Sequence, residues 1–197
     1  DASECPPTFG VSTDRVIGLI AGGDGALRLA VEGAEDDIAA AWQDLTPYQP
    51  NPHDTLIGIA ASGRTPYVIG GLHEARAAGL LTACITCNPS SAVEQEAEHA
   101  LVAVTGGEFV TGSTRLNAGT ATKLLLNMIT TVVMIQLGHV QGSRMVDMQP
   151  TNVKLMERGQ RMIVDATGVS NESALKALEL AGNVRDAIQQ IQDDAHA

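Results

Sequence analysis

Thr55-Leu-Ile-Gly-Ile-Ala-Ala-Ser-Gly-Arg-Thr-Pro66 is the stretch whose reading decides the fold. Thr55 to Ala61 is apolar without polar alternation, the pattern of a parallel strand covered on both faces. The strand stops in a small polar turn, and the spacing predicts a helix over about Tyr67 to Ala78. Ser62, Gly63 and Thr65 are short enough for backbone amides to approach a ligand. Thr65 can cap the helix, and Pro66 falls where a first-turn proline is tolerated. Unpaired amides at a helix start attract anions. A phosphorylated small molecule is therefore the first ligand to consider.

Working outward, strands and helices alternate. Val16 to Ala21 reads as a short strand ending in Gly22-Gly23. Helices are expected over Gly25 to Val31 and Ala34 to Leu45, with Tyr48-Gln-Pro-Asn-Pro-His53 as a connecting loop. A strand over Leu81 to Cys87, a helix over about Ala92 to Glu98 and a strand over His99 to Val104 follow. Thr111-Gly-Ser-Thr-Arg115 precedes a long helix, about Asn117 to Leu137, and Ser113, Thr114 and Arg115 either cap it or face a ligand. This alternation predicts an α/β fold, a parallel sheet with helices on both faces. Ligands of such sheets sit beyond the carboxyl ends of the strands, where the Gly/Ser turns fall. After Met148-Gln-Pro-Thr151 the character changes. Helices over Asn152 to Ala166, Asn171 to Ala181 and Asn183 to Gln192 form a small three-helix module. The expected division is residues 1–150 and 151–197.

The chain has 197 residues and a formal charge of -11 from 12 basic and 23 acidic side chains. That balance disfavours nucleic acid, which needs a basic footprint. A phosphate must be held by local amides, hydroxyls and an arginine, against the overall field. No secretory signal is read. The apolar run Leu124 to Leu137 is shorter than the ~20 residues of a membrane span, so a buried core helix is expected and no membrane partner. Cys5, Cys84 and Cys87 suggest a reducing, hence cytoplasmic, compartment. Cys84-Ile-Thr-Cys87 falls in a predicted strand, where positions three apart face opposite sides. It reads as two small core residues and not as a redox pair. The histidines at 53, 73, 99, 139 and 196 show no ligand spacing, and no metal site is expected.

Two acidic regions stand out. Glu4 lies in Asp1-Ala-Ser-Glu-Cys-Pro-Pro-Thr-Phe-Gly10, read as an irregular loop because it is too Pro-rich for a helix. Glu32 and Glu35 flank Gly33-Ala34, and on a helix they share a face. Most such glutamates form a solvated patch. A carboxylate beside an anion turn is unfavourable unless it moves a proton.

Asp1-Ala-Ser-Glu-Cys-Pro-Pro-Thr-Phe-Gly10, Gly18-Leu-Ile-Ala-Gly-Gly23, Val31-Glu-Gly-Ala-Glu-Asp36, Gly58-Ile-Ala-Ala-Ser-Gly-Arg-Thr-Pro-Tyr-Val68, Thr111-Gly-Ser-Thr-Arg115 and Met145-Val-Asp-Met-Gln-Pro-Thr-Asn152 occur in this order. Together they closely resemble the N-acetylmuramic acid 6-phosphate etherase family over essentially the whole chain. The resemblance implies a sugar-isomerase (SIS) domain, a flavodoxin-like α/β sandwich. The tail around Ala177 to Ile188 is similar to ubiquitin-associated-like three-helix modules, here implying packing or dimer support. Family members carry several dozen residues before the Ser-Glu-Cys segment, including a first strand and another Gly/Ser-rich loop. By that likeness this chain lacks them.

The family reaction removes D-lactate from carbon 3 of the phosphorylated amino sugar, leaving N-acetylglucosamine 6-phosphate, and needs no metal or other cofactor. By resemblance Glu4 matches the proton donor to the leaving lactate and Glu35 the carbon-2 base. Glu32 is a candidate for a contact to sugar hydroxyls. Ser62, Gly63, Arg64 and Thr65 match the sugar-phosphate loop. A homodimer is also implied. One rival is a non-catalytic sugar-phosphate sensor, which needs the loop without the acid/base pair. Another is an aldose–ketose isomerase, which needs no leaving-group acid.

Overall fold

The computed structural model describes residues 1–196, with side chains to 195. Ala197, the last residue of the expected 151–197 module, lies outside the described residues. The elements run α1 (Cys5–Phe9), α2 (Ala40–Leu45), β1 (Thr55–Ile59), α3 (Pro66–Ala77), β2 (Leu81–Thr86), α4 (Ala92–Glu96), β3 (His99–Val102), α5 (Asn117–Gln136), α6 (Val153–Thr167), α7 (Asn171–Ala181) and α8 (Val184–His196). Contacts divide the chain into two units. Gly18–Leu126 is one, and Asp1–Ile17 together with the chain from Asn127 onward is the other. The three-helix module therefore lies within a unit that also holds the N-terminal segment.

The first unit is built on a parallel sheet of order β1-β2-β3. Thr55 pairs with Leu81 through to Ile59 with Ile85, and Ala83 pairs with His99 through to Thr86 with Val102. The α/β class expected from the sequence is present. Leu72 of α3, Cys84 of β2 and Val93 of α4 are fully buried together with Ala60, forming the core of this unit. The reading of β1 as covered on both faces does not hold. β1 is an edge strand, and Ile59 is 41% exposed, whereas the central β2 carries the buried run.

The expected strand over Val16 to Ala21 is absent, and that stretch is turns and irregular chain. A strand exists only when a neighbour takes its amides and carbonyls, and among the described residues none pairs with it. The expected helices over Gly25 to Val31 and Ala34 to Leu45 shrink to 3-10 turns at Asp24–Leu27 and Ala34–Asp36 plus α2. Gly22, Gly23 and Gly33 take positive φ there, which breaks helical propagation.

Local signals fix the second unit more closely. In α6 the Asn152 side chain accepts the Leu155 N–H at 3.0 Å, and in α7 Ser170 accepts the Ser173 N–H at 3.2 Å. Each satisfies an amide that the helix cannot. Gly168 and Gly182 end α6 and α7 in the left-handed conformation that glycine adopts without strain. Met148, Ile163, Leu178, Val184 and Ala187 are fully buried in the bundle core. Burying one such large side chain contributes about 1.5–3 kcal/mol.

The front segment is helical, not an irregular loop. A 3-10 turn over Ala2–Glu4 leads into α1. Pro6 and Pro7 occupy the first turn, where an N–H has no partner to lose. Gly10 then closes the helix with a left-handed backbone. Cys5, Phe9, Val11 and Met134 form a separate small core in the same unit.

The expectation for the long apolar run is also corrected. α5 is not a buried core helix: Leu124, Met128 and Val132 are each more than half exposed. It has 20 residues and, by length and composition, is apolar enough to cross a membrane. The run counted from Leu124 alone is shorter because Lys123 and the small and polar residues before it are left out.

Candidate active site

The floor of the site is the end of β1. The Ala60 N–H donates to the Ile85 carbonyl at 3.0 Å, continuing the sheet by one step. The Ala61 carbonyl accepts the Cys87 N–H at 3.0 Å and the Asn88 side-chain amide at 2.9 Å. Those bonds hold the turn that follows. The Gly63 N–H closes it onto the Ala60 carbonyl at 2.9 Å, and the Gly63 carbonyl accepts the Val93 N–H of α4 at 3.1 Å. Gly63 has φ +69, and a Cβ there would overlap Ser91. Only glycine fits, for both reasons.

Ser62 and Arg64 are exposed and Thr65 is partly so. The Ser62 hydroxyl accepts the Arg64 N–H at 3.3 Å. Thr65 stands at the N-cap position of α3 but its side chain makes no cap bond. Its hydroxyl points instead to Glu35, donating to Oε2 at 3.5 Å. Pro66 follows without an N–H, so the first helical position leaves nothing unsatisfied. Tyr67 anchors the helix start, donating its hydroxyl to Asp44 at 2.8 Å. Burial, then that bond to a carboxylate, pushes the Tyr67 phenol above its ordinary range.

Two glycines bring Glu35 to this loop. On α3, a Cβ at Gly70 would overlap the Ile38 carbonyl, and one at Gly71 would meet Ala41 at 2.9 Å. Without side chains there, the segment leading into α2 lies flat against α3. The turn carrying Glu35 lies just ahead of that segment, which delivers it to Thr65. Glu35, Ser62, Gly63, Arg64 and Thr65 thus share one unit and one corner of it. Glu32 is exposed in the same unit but not on a helix with Glu35. Gly33 turns left-handed between them, so the shared helical face expected from their spacing does not exist.

Glu4 belongs to the other unit. It is exposed, ends the 3-10 turn, and donates its N–H to the Asp1 carbonyl at 3.0 Å. It borders a cleft of about 180 Å³ with Asp1, Thr8, Asn127, Thr130 and Thr131.

Sequence reasoning missed Glu108. The Ser113 to Arg115 turn was expected to cap α5 or face a ligand. The Glu108 carboxylate accepts the Asn117 and Ala118 N–H groups at 2.9 Å each, so an acid from upstream caps the helix. An acidic residue nine positions before a helix start gives no periodic signal. Cys84 and Cys87 are buried and form no disulfide, and burial pushes the Cys84 thiol up.

Comparison with known proteins bears on this arrangement. A family model described as the glucokinase regulatory protein N-terminal SIS domain matches residues 4–76. N-acetylmuramic acid 6-phosphate etherase of Christiangramia forsetii is 57% identical over 196 residues, covering 100% of this chain and 70% of the relative. The protein of the same name from Bacteroides fragilis is 54% identical, over 95% of the chain and 67% of its own length. That from Pectobacterium atrosepticum is 58% identical, over 95% of the chain and 62% of its own length.

Proposed function

We propose that this chain, which belongs to the N-acetylmuramic acid 6-phosphate etherase family, is a carbon–oxygen lyase that cleaves the D-lactyl ether of the phosphorylated amino sugar. The observation that carries the reading is the meeting of Glu35 and Thr65 at 3.5 Å, a carboxylate at the lip of the anion turn. The turn holds the 6-phosphate through small side chains and backbone, with Arg64 beside it. Held there, the sugar chain reaches back toward Glu35.

In the open-chain sugar the hydrogen on carbon 2 is acidified by the neighbouring aldehyde. Glu35 takes that proton. The carbon 3–oxygen bond breaks, and Glu4 gives a proton to the departing lactate oxygen. Water then adds to the unsaturated aldehyde, hydroxyl to carbon 3 and hydrogen to carbon 2, leaving N-acetylglucosamine 6-phosphate. Glu32 contacts sugar hydroxyls. The working form is a homodimer in the cytoplasm. Three buried cysteines that form no disulfide suit a reducing compartment.

Glu35→Gln is expected to abolish incorporation of solvent deuterium at carbon 2 of the product, and normal incorporation would remove Glu35 from the base role. Glu4→Gln is expected to lower lactate release by about 10²–10⁴-fold, the usual worth of a positioned acid, while exchange at carbon 2 falls less. The match to a regulator's SIS domain supports a second reading, a sugar-phosphate sensor. A sensor would bind the sugar phosphate and release no lactate, and the etherase names of relatives at 54–58% identity favour the enzyme.

A further inference from the structure

Glu4 sits on a weak element. The turn over Ala2–Glu4 has three residues and no side-chain cap. Short 3-10 turns have poor hydrogen-bond geometry and hold their shape only when something outside them does so. The main-chain carbonyl of Asp1 accepts the Glu4 N–H at 3.0 Å and faces the buried Cys5 thiol at 3.5 Å. Wherever Asp1 goes, Glu4 follows.

The Asp1 side chain is itself fixed. The Asn127 side-chain amide donates to both of its oxygens, at 2.9 and 3.0 Å, and the Thr130 hydroxyl donates to one of them at 3.4 Å. Asn127 and Thr130 are three apart on α5 and so share one face. All of these groups, with Glu4, border the same cleft of about 180 Å³. A 20-residue helix is a stiff support, and a charge-assisted bond is about twice as strong as a neutral one.

We propose that Asp1 is a positioning residue for Glu4: its carboxylate, gripped by Asn127 and Thr130, ties the Glu4 turn to α5 and aims the acid into the cleft. This rests on the reading of Glu4 as the proton donor to lactate. Asp1 touches no reacting atom in this role. Its effect passes through backbone to the neighbouring side chain, and a misplacement of about 1 Å in a catalytic group can cost on the order of 10²-fold in rate.

The test uses the full-length protein and follows lactate release and carbon-2 deuterium exchange side by side. Asp1→Ala is expected to lower lactate release by about 10–100-fold while exchange changes far less. Asn127→Asp, which sets carboxylate against carboxylate, is expected to do the same. The exchange of roles in Asp1→Asn with Asn127→Asp restores a donor–acceptor pair, and most of the lost release returns. A merely structural tie would lower both readouts together. Unchanged release in Asp1→Ala, parallel loss of both signals, or no recovery in the double variant each overturns the proposal. If either single variant fails to fold, the double variant alone decides. Glu4→Gln run in parallel separates the two claims. Equal loss of release and exchange in Glu4→Gln defeats the acid role and this inference with it. Selective loss in Glu4→Gln with normal Asp1→Ala defeats this inference alone.

Discussion

The three-helix bundle and the parallel sheet bury their apolar residues by different routes. In α6 to α8 every helix closes on its neighbours: Ile163, Leu178 and Val184 are fully buried, as is Met148 from the segment before α6. Its ends are finished by Asn152, Ser170, Gly168 and Gly182. In the sheet unit the interior is sealed only around β2, while Ile59 on β1 and Leu124 on α5 stay exposed. The bundle follows from short-range rules, since caps and helical periodicity act within a few residues. The sheet depends on which strands stand next to each other, and each turn of the candidate site hangs from that arrangement.

Gly63→Val strikes the sheet unit where it is least tolerant and is expected to have the largest effect. The new side chain would overlap Ser91 and force a branched residue into φ +69. Left-handed backbone costs about 1–2 kcal/mol and overpacking about 1–3 kcal/mol. Binding of the sugar phosphate should be lost, which titration calorimetry measures directly. Normal binding would mean that the turn does not hold the anion. In the bundle, Leu178→Ala should lower unfolding stability by about 3 kcal/mol in urea titration. A drop below about 1 kcal/mol would show that the bundle is looser than its burial indicates.

Asp147→Asn tests the ionic knot of the second unit. Burial pushes the Asp147 carboxyl up. The hydrogen bonds from Arg185 at 2.6 Å and His139 at 2.9 Å pull harder, so that it lies below the usual range. A carboxyl depressed by folding adds stability that is fully present above its unfolded value of about 3.9. That stability disappears as pH falls through the lower folded value. Asp147→Asn should therefore cost on the order of 2 kcal/mol near neutrality, and its gap from the parent should shrink in acid. A gap that stays constant down to the acid transition would rule out this linkage. Ser170→Ala should have the smallest effect, about 1 kcal/mol for a lost N-cap, read as a shift in the thermal midpoint. No shift would show that the bond to the Ser173 N–H adds nothing.

The legibility of the chain follows the same divide. β1, α3 and β2 fall within two residues of their expected bounds, because Thr55 to Thr86 carries strong local signals and Pro66 and Gly79 punctuate it. The start of α7 was readable from Ser170 alone. The turn at Ser62-Gly63-Arg64-Thr65 was readable too, because it sits between an apolar run and a helix. Its link to Glu35 was not: the contact spans 30 residues and depends on Gly70 and Gly71 letting two segments lie flat together. Glu108 escaped notice for a similar reason, and Asp1 gave no signal until α5 was placed beside it.

By itself the amino-acid sequence determined the ends of α3, α5, α6 and α7, the α/β alternation and the family, since periodicity, caps and ordered motifs are carried by neighbouring residues. Only tertiary structure decided that Val16 to Ala21 has no strand partner, that α5 presents its apolar side outward, and that Glu35 meets Thr65. A strand, a covered face and a two-residue contact each need a second segment, and the position of that segment is set by packing rather than by local pattern.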